Sequence, residues 1–194
     1  MSHIGPLDPV AASLVGRCSL SDLLWVANTG HGPGAHWHAR PGLSEHDHDH
    51  LEAPADAVRY LVDHQVSVPG GAPTAGQLAS LAEVRRVVRG LADAPAVWTP
   101  AARILLQSSR YSVTEDGGLV AEGPGWDAFV SDLLIPLMEL IHLRARLAAC
   151  ANPACRLLFL DNSRNQTRRW CDDGGCGNRA RARAYRVTHS PGHG

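Results

Sequence analysis

Four of the chain's five cysteines, Cys150, Cys155, Cys171 and Cys176, fall within twenty-seven residues near one end of a 194-residue sequence. They form two C-x4-C pairs separated by fifteen residues. Zinc takes four tetrahedral ligands, and thiolates at about 2.3 Å are its preferred structural donors. Two close pairs joined by a hairpin-length insert can deliver that geometry. Four thiolates fill the coordination sphere and leave no open position for a substrate, so the pattern points to a structural Zn2+ and not a catalytic one. The alternative is four buried free thiols, which would ask nothing of the spacing. A base-deaminase zinc site is not indicated, because its C-x2-C pair is absent.

The segments between the cysteines must bring the pairs together. Ala151-Asn152-Pro153-Ala154 reads as a tight turn inside the first pair. Arg156 to Leu160 is strand-like, Asp161 to Asn165 is turn-like, and Gln166 to Trp170 reads as the returning strand of a hairpin. Asp172-Asp173-Gly174-Gly175 loops the second pair, and Cys176 opens a helix through Arg186. Knuckle, hairpin and helix in this order make a treble-clef-like zinc finger. A module this small has little apolar core, so the metal should supply much of its folding free energy, on the order of 10 kcal/mol.

The same segment is rich in arginine. Residues 1–149 carry sixteen acids and ten arginines, whereas residues 150–194 carry three acids and eight arginines. A basic end on an acidic body suggests that the end meets a polyanion. Arg179, Arg183 and Arg186 fall on one face of the final helix, with Arg181 offset from them. Arg168 and Arg169 precede Cys171 and should point to opposite sides of their strand. Arg164 sits at the hairpin turn. Guanidinium groups bond phosphates and guanine edges bidentately, so these seven arginines are the candidate nucleic-acid contacts. The competing reading is a solvated basic face, or arginines paired with the acidic body. Asp161 can cap or orient an arginine, Asn178 can cap the helix or bond the knuckle backbone, and Trp170 is expected to pack beside the metal. The chain has no lysine at all, which fits a G+C-rich coding sequence better than any functional demand.

With Cys176-Gly177-Asn178-Arg179, Leu158 to Asn165 and Arg168-Arg169-Trp170-Cys171 in view, the segment resembles the CGNR zinc-finger family. In that family the finger follows an N-terminal domain called ABATE, described as a stress-induced transcription regulator. The finger resemblance covers about 150–187, and Ser21 to Thr29 resembles the opening of the ABATE domain. The resemblance implies that the four cysteines ligate zinc and that the protein is a DNA-binding transcription regulator. Arg181 stands where the family usually has Lys, and the second knuckle is more acidic than its relatives'. The implied division is an ABATE-like body over 1–149, the finger over 150–189 and a disordered tail over 190–194. DNA is the expected partner, with a small-molecule effector for the body; a homodimer is compatible with the sequence.

The body reads as mainly helical. Ser21 to Asn28 is a short helix capped by Ser19 or Ser21, and Pro54 to His64 is a second with Val58, Leu61 and Val62 facing inward. Thr74 to Ala92 has a Thr74/Gln77 capping box and Leu78, Leu81, Val84, Val88 and Leu91 at helical spacing. Pro100 to Ser109 follows, with Thr99 as cap. Tyr111 to Thr114 and Leu119 to Ala121 form a hairpin around Glu115-Asp116-Gly117-Gly118. Trp126 to Ala149 reads as one long helix, kinked or interrupted at Pro136, running straight into Cys150. The fold class is therefore α+β, mainly helical.

Residues 29–50 are rich in Gly, Pro and His. His36, His38, His46, His48 and His50 could bind a transition metal weakly, but a solvated loop is the simpler expectation. His189 and His193 belong to the tail region, and Cys18 reads as an idle buried thiol. No triad order, phosphate-cradling loop or paired-carboxylate motif stands out, so no enzyme is expected. No apolar run reaches membrane-spanning length and the start lacks a secretory pattern, so a soluble cytoplasmic protein without a membrane partner is expected.

Overall fold

The structure is a computed structural model and describes residues 17–31, 48–93, 100–143, 146–153 and 155–189. His36, His38, His46, Thr99, Ala154, His193 and the tail over 190–194 lie outside the described residues.

The body is built on three helices that pack on one another: α1 (Leu20–Ala27), α3 (Ala75–Asp93) and α5 (Gly125–Leu143). Ser19 caps α1 in a reciprocal box with Asp22, which satisfies two amide groups at the helix start. Leu23, Leu24, Val26 and Ala27 are fully buried, so this short helix is the hub of the core. The α3 box forms as expected, with the Thr74 amide donating to Gln77 Oε1 at 2.9 Å and the Gln77 amide to Thr74 Oγ1 at 3.3 Å. All five apolar positions expected on α3 are buried, and Val87 joins them.

The helix α2 (Pro54–Asp63) buries Ala57, Tyr60 and Leu61. Val58 packs against the core, but Val62 is 53% exposed, contrary to expectation, because Tyr60 takes the inward position. Tyr60 stacks between His50 and His64, at ring distances of 4.3 and 4.4 Å. His50 is thus part of the packing and not of a solvated loop. His48 lies in β2 (His48–Asp49), which pairs with β1 (Gly30–His31). The helix α4 (Pro100–Ser108) leads to the expected hairpin of β3 (Tyr111–Val113) and β4 (Leu119–Ala121). The buried Asp132 of α5 accepts the Ala121 amide at 2.7 Å and so fixes that hairpin to the helix.

Two expectations change at the junction with the cysteine-rich segment. The long helix ends at Leu143 with Pro136 inside it, and Leu147–Ala149 forms the strand β5. This strand pairs antiparallel with β6 (Leu158–Leu160), in the register Leu147↔Leu160 and Ala149↔Leu158. Gln166 to Trp170 therefore does not return as the hairpin partner of β6; it runs as irregular chain. The position is taken by residues the periodicity had assigned to the helix. The hairpin serves two cores at once because strand side chains alternate. Leu147, Leu158 and Leu160 belong to the body core, while Ala148, Leu157 and Phe159 pack with the cysteines.

Candidate metal centre

The four cysteines arrive from three pieces of structure. Cys150 follows β5, and Cys155 closes the first knuckle. Cys171 ends the irregular return, and Cys176 sits in a single π-helical turn (Asp173–Gly177) that leads into α6 (Asn178–His189). The first knuckle is held by the Cys155 and Arg156 amides, which both donate to the Asn152 carbonyl at 2.8 and 3.1 Å. Arg156 takes a φ of 53° to make that turn. The knuckle is tied to the hairpin by the Cys150 amide, which donates to the Leu157 carbonyl at 2.8 Å.

All four Sγ atoms lie within 4.8 Å of one another, and all four side chains are buried. Cys171 Sγ is 3.7 Å from both Cys155 Sγ and Cys176 Sγ. A regular tetrahedron with bonds of about 2.3 Å has edges of about 3.8 Å, so the two 3.7 Å separations match thiolates that share one zinc ion. A disulfide would need about 2.0 Å. Among the described residues this is the group able to hold a metal ion.

The thiols also share their protons. Hydrogen bonds from the Cys155 and then the Cys171 thiol hold Cys150 well below an ordinary thiol, and the same bonds push Cys155 and Cys171 up. A divalent cation replaces these protons, so binding releases them. Zn2+ with four thiolates carries a net negative charge, and the surroundings offset it. Cys176 lies at the N-terminal end of the helical stretch, where the dipole favours a thiolate. Asn152 Nδ2 donates to Cys176 Sγ at 3.7 Å. The Arg168 guanidinium donates to the carbonyls of Trp170 (2.8 Å) and Cys171 and lies 5.0 Å over the Phe159 ring. Asn152 was not singled out in the sequence; its place inside the C-x4-C turn was the available signal.

Residues 146–189 match the family model of the CGNR zinc finger. A comparison of the chain with curated proteins gave no match. The CGNR match opens at Arg146 and so takes in β5, in line with the observed strand pairing. The four residues of the signature have separate physical roles. Cys176 is a member of the thiol cluster. A Cβ on Gly177 would lie 2.5 Å from Asp173 Oδ1 and 3.1 Å from Trp170 Cδ1, so any larger residue must displace the Asp173 carboxylate and press on the Trp170 ring. Asn178 Nδ2 donates to the Gly174 carbonyl at 2.8 Å, which closes the second knuckle. Arg179 is exposed on α6. Trp170 packs against the cysteine cluster, as expected. Gly177→Ala should cost about 1–3 kcal/mol through overpacking against Trp170, read as a lower unfolding midpoint in denaturant with zinc present.

Asp161 holds the irregular return. Its Oδ1 accepts the Ser163 amide and its Oδ2 the Arg168 amide, both at 2.8 Å. It caps backbone and does not orient an arginine side chain. Burial pushes the Asp161 carboxyl up, but these hydrogen bonds outweigh burial and hold it below the usual carboxylate range. Its stabilisation is therefore complete above the unfolded value of about 4 and is lost as pH falls through the lower folded value. Asp161→Ala should cost roughly 2–3 kcal/mol at neutral pH, and the gap from the parent protein should close below about pH 4. Paired denaturation curves across pH check both points.

The candidate contact arginines separate into two groups. Arg168 is tied into the finger as described, and Arg181 pairs with Asp173 at 3.0 Å and donates to Asn178 Oδ1 at 2.7 Å. Arg169 lies 5.4 Å over the Trp170 ring. Arg164, Arg179, Arg183 and Arg186 are exposed, as are Arg169 and Arg181, and Arg186 Nε donates to the Ala182 carbonyl of its own helix at 3.3 Å. No helix among the described residues is long and apolar enough to cross a membrane.

Proposed function

We propose that the protein is a non-enzymatic transcription regulator whose zinc finger contacts DNA through α6, with residues 1–149 as an ABATE-like sensing body. The observation that carries this reading is the condition of α6. None of its twelve residues is buried. A helix this short is marginal in isolation, and with even Tyr185 and Val187 exposed it buries no face to hold it. Its Arg179, Arg183 and Arg186 lie along one face, and Ala180, Ala182 and Ala184 leave the helix slim enough for close approach to a duplex. The zinc cluster sets the direction of the helix through Cys176, Gly177 and Asn178. Arg164, and Arg169 beside Trp170, extend the contact set; Arg168 and Arg181 act within the finger.

Fluorescence anisotropy with a labelled duplex at 50 mM salt tests the reading. The double variant Arg179→Ala/Arg183→Ala should bind roughly a hundredfold more weakly, and its salt slope should fall by about 2. Equal binding by variant and parent removes α6 from the contact surface.

A second reading treats the finger as a clamp on a ligand-binding body. It draws on the docking of the hairpin, where Asn28 and Arg89 of the body bond Leu158 and Arg156 of the finger. A zinc-loaded protein that ignores DNA at low salt would favour it.

A further inference from the structure

Among the described residues Ala82, Arg85, Arg86, Arg89 and Gly90, all on one side of α3, line an open cavity of about 430 Å³. Three guanidinium groups within little more than one helical turn repel one another, so their collection here asks for an anion. Protein carboxylates supply part of it. Asp49 accepts from Arg85 Nη1 and Nη2 at 2.5 and 2.7 Å, and Glu83 pairs with Arg86.

Two of the three guanidinium groups are also held in place, while Arg86 is largely exposed. Arg85 Nη1 donates to Thr29 Oγ1 at 3.3 Å, and Arg89 donates to the carbonyls of Ala27 and Arg156, each at 2.9 Å. Two fixed guanidinium forks, with the exposed Arg86 beside them on an open cavity, suit a planar or tetrahedral oxyanion.

Gly90 gives a second, independent indication. It lies inside α3, where glycine is a poor helix former. Among the described residues a Cβ there would meet nothing within 4 Å, and its φ is not positive. Neither packing nor backbone conformation requires glycine at this position. Gly90 lines the cavity, so a longer side chain there would reduce its open space.

We propose that this cavity binds a small molecule through an oxyanion group, a phosphate or a carboxylate, seated on Arg85, Arg86 and Arg89 with Gly90 keeping room for it. Arg89 also holds the Arg156 carbonyl, next to Cys155, so a ligand that draws on Arg89 bears on the first zinc knuckle. The binding site stands without the DNA-binding reading; its role as the regulator's effector site rests on that reading.

The test uses the zinc-loaded full chain. Thermal unfolding and calorimetric titration are run with inorganic phosphate and, separately, succinate, each against chloride at matched ionic strength. The expected result is saturable stabilisation by at least one of the two, and which one identifies the ligand's anionic group. Gly90→Leu should fold at least as stably and lose at least tenfold in affinity, and Arg86→Ala should lose similarly. Arg103→Ala, on α4, and Arg179→Ala/Arg183→Ala should bind the anion like the parent, which separates this outcome from the DNA test. No saturable effect of either anion beyond chloride overturns the proposal. So does unchanged affinity in Gly90→Leu, or an equal loss in Arg103→Ala.

Discussion

Removing the metal should unfold the finger and take part of the body core with it. Binding of zinc to a four-thiolate site supplies on the order of 10 kcal/mol of folding free energy. Among the described residues the cysteine cluster has few other apolar partners: Leu157 and Phe159, with Ala148 and Trp170 at its margin. Without the ion, that small group cannot hold two knuckles and the start of α6 in place. The hairpin shares Leu147, Leu158 and Leu160 with the body core, so the loss does not stop at the finger. Chelation, or Cys171→Ala, should abolish the helical signal of α6 and lower the unfolding midpoint of the body. Amide exchange should accelerate first in β5 and β6 and then in α1. A body that unfolds at the same midpoint with and without zinc would show that the two parts fold independently.

The second large effect is expected at Asn28, which is 2% exposed. Its side chain acts as a substitute strand for the open edge of β6. Asn28 Nδ2 donates to the Leu158 carbonyl at 3.0 Å, and Asn28 Oδ1 accepts the Leu158 amide at 2.8 Å. Its own carbonyl accepts from the Tyr60 hydroxyl at 3.1 Å, so one residue links the ring stack of α2 to the finger hairpin. Asn28→Ala leaves an amide and a carbonyl of β6 buried without partners. At about 1–3 kcal/mol for each such group, the cost should be roughly 3–5 kcal/mol. Asn28→Asp should be little better, because a carboxylate cannot donate to the Leu158 carbonyl. The check is denaturant unfolding of each variant with zinc bound, together with zinc affinity by competition. A fall in both places the residue at the coupling between finger and body. A change under 1 kcal/mol in stability would mean that water replaces the amide.

How much of this was legible in the sequence depended on how local the signal was. The thiol cluster was, because ligand spacing is a local property and the ion demands a fixed donor set. The α3 helix was too, since its capping box and apolar stripe lie within one segment. The hairpin was misplaced for the opposite reason. Leu147-Ala148-Ala149 continues an apolar helical pattern, and Ala is a strong helix former. Only the tertiary pairing with Leu158–Leu160 makes it a strand. The partner role of Asn28, 130 residues from Leu158 in sequence, has no local signature at all. Val62 was assigned to the core by periodicity, yet Tyr60 and its two imidazole neighbours claim that side of α2. The arginines could be named but not sorted, because which of them bind carbonyls and carboxylates of the finger depends on the final geometry.

The direction of α6 depends on one ion held by four sulfurs, and zinc K-edge X-ray absorption on the purified protein addresses that directly. One zinc per chain with four sulfur scatterers at about 2.3 Å is the expected result. A first shell containing nitrogen or oxygen, or fewer than four sulfurs, would contradict it and leave the direction of α6 without a cause.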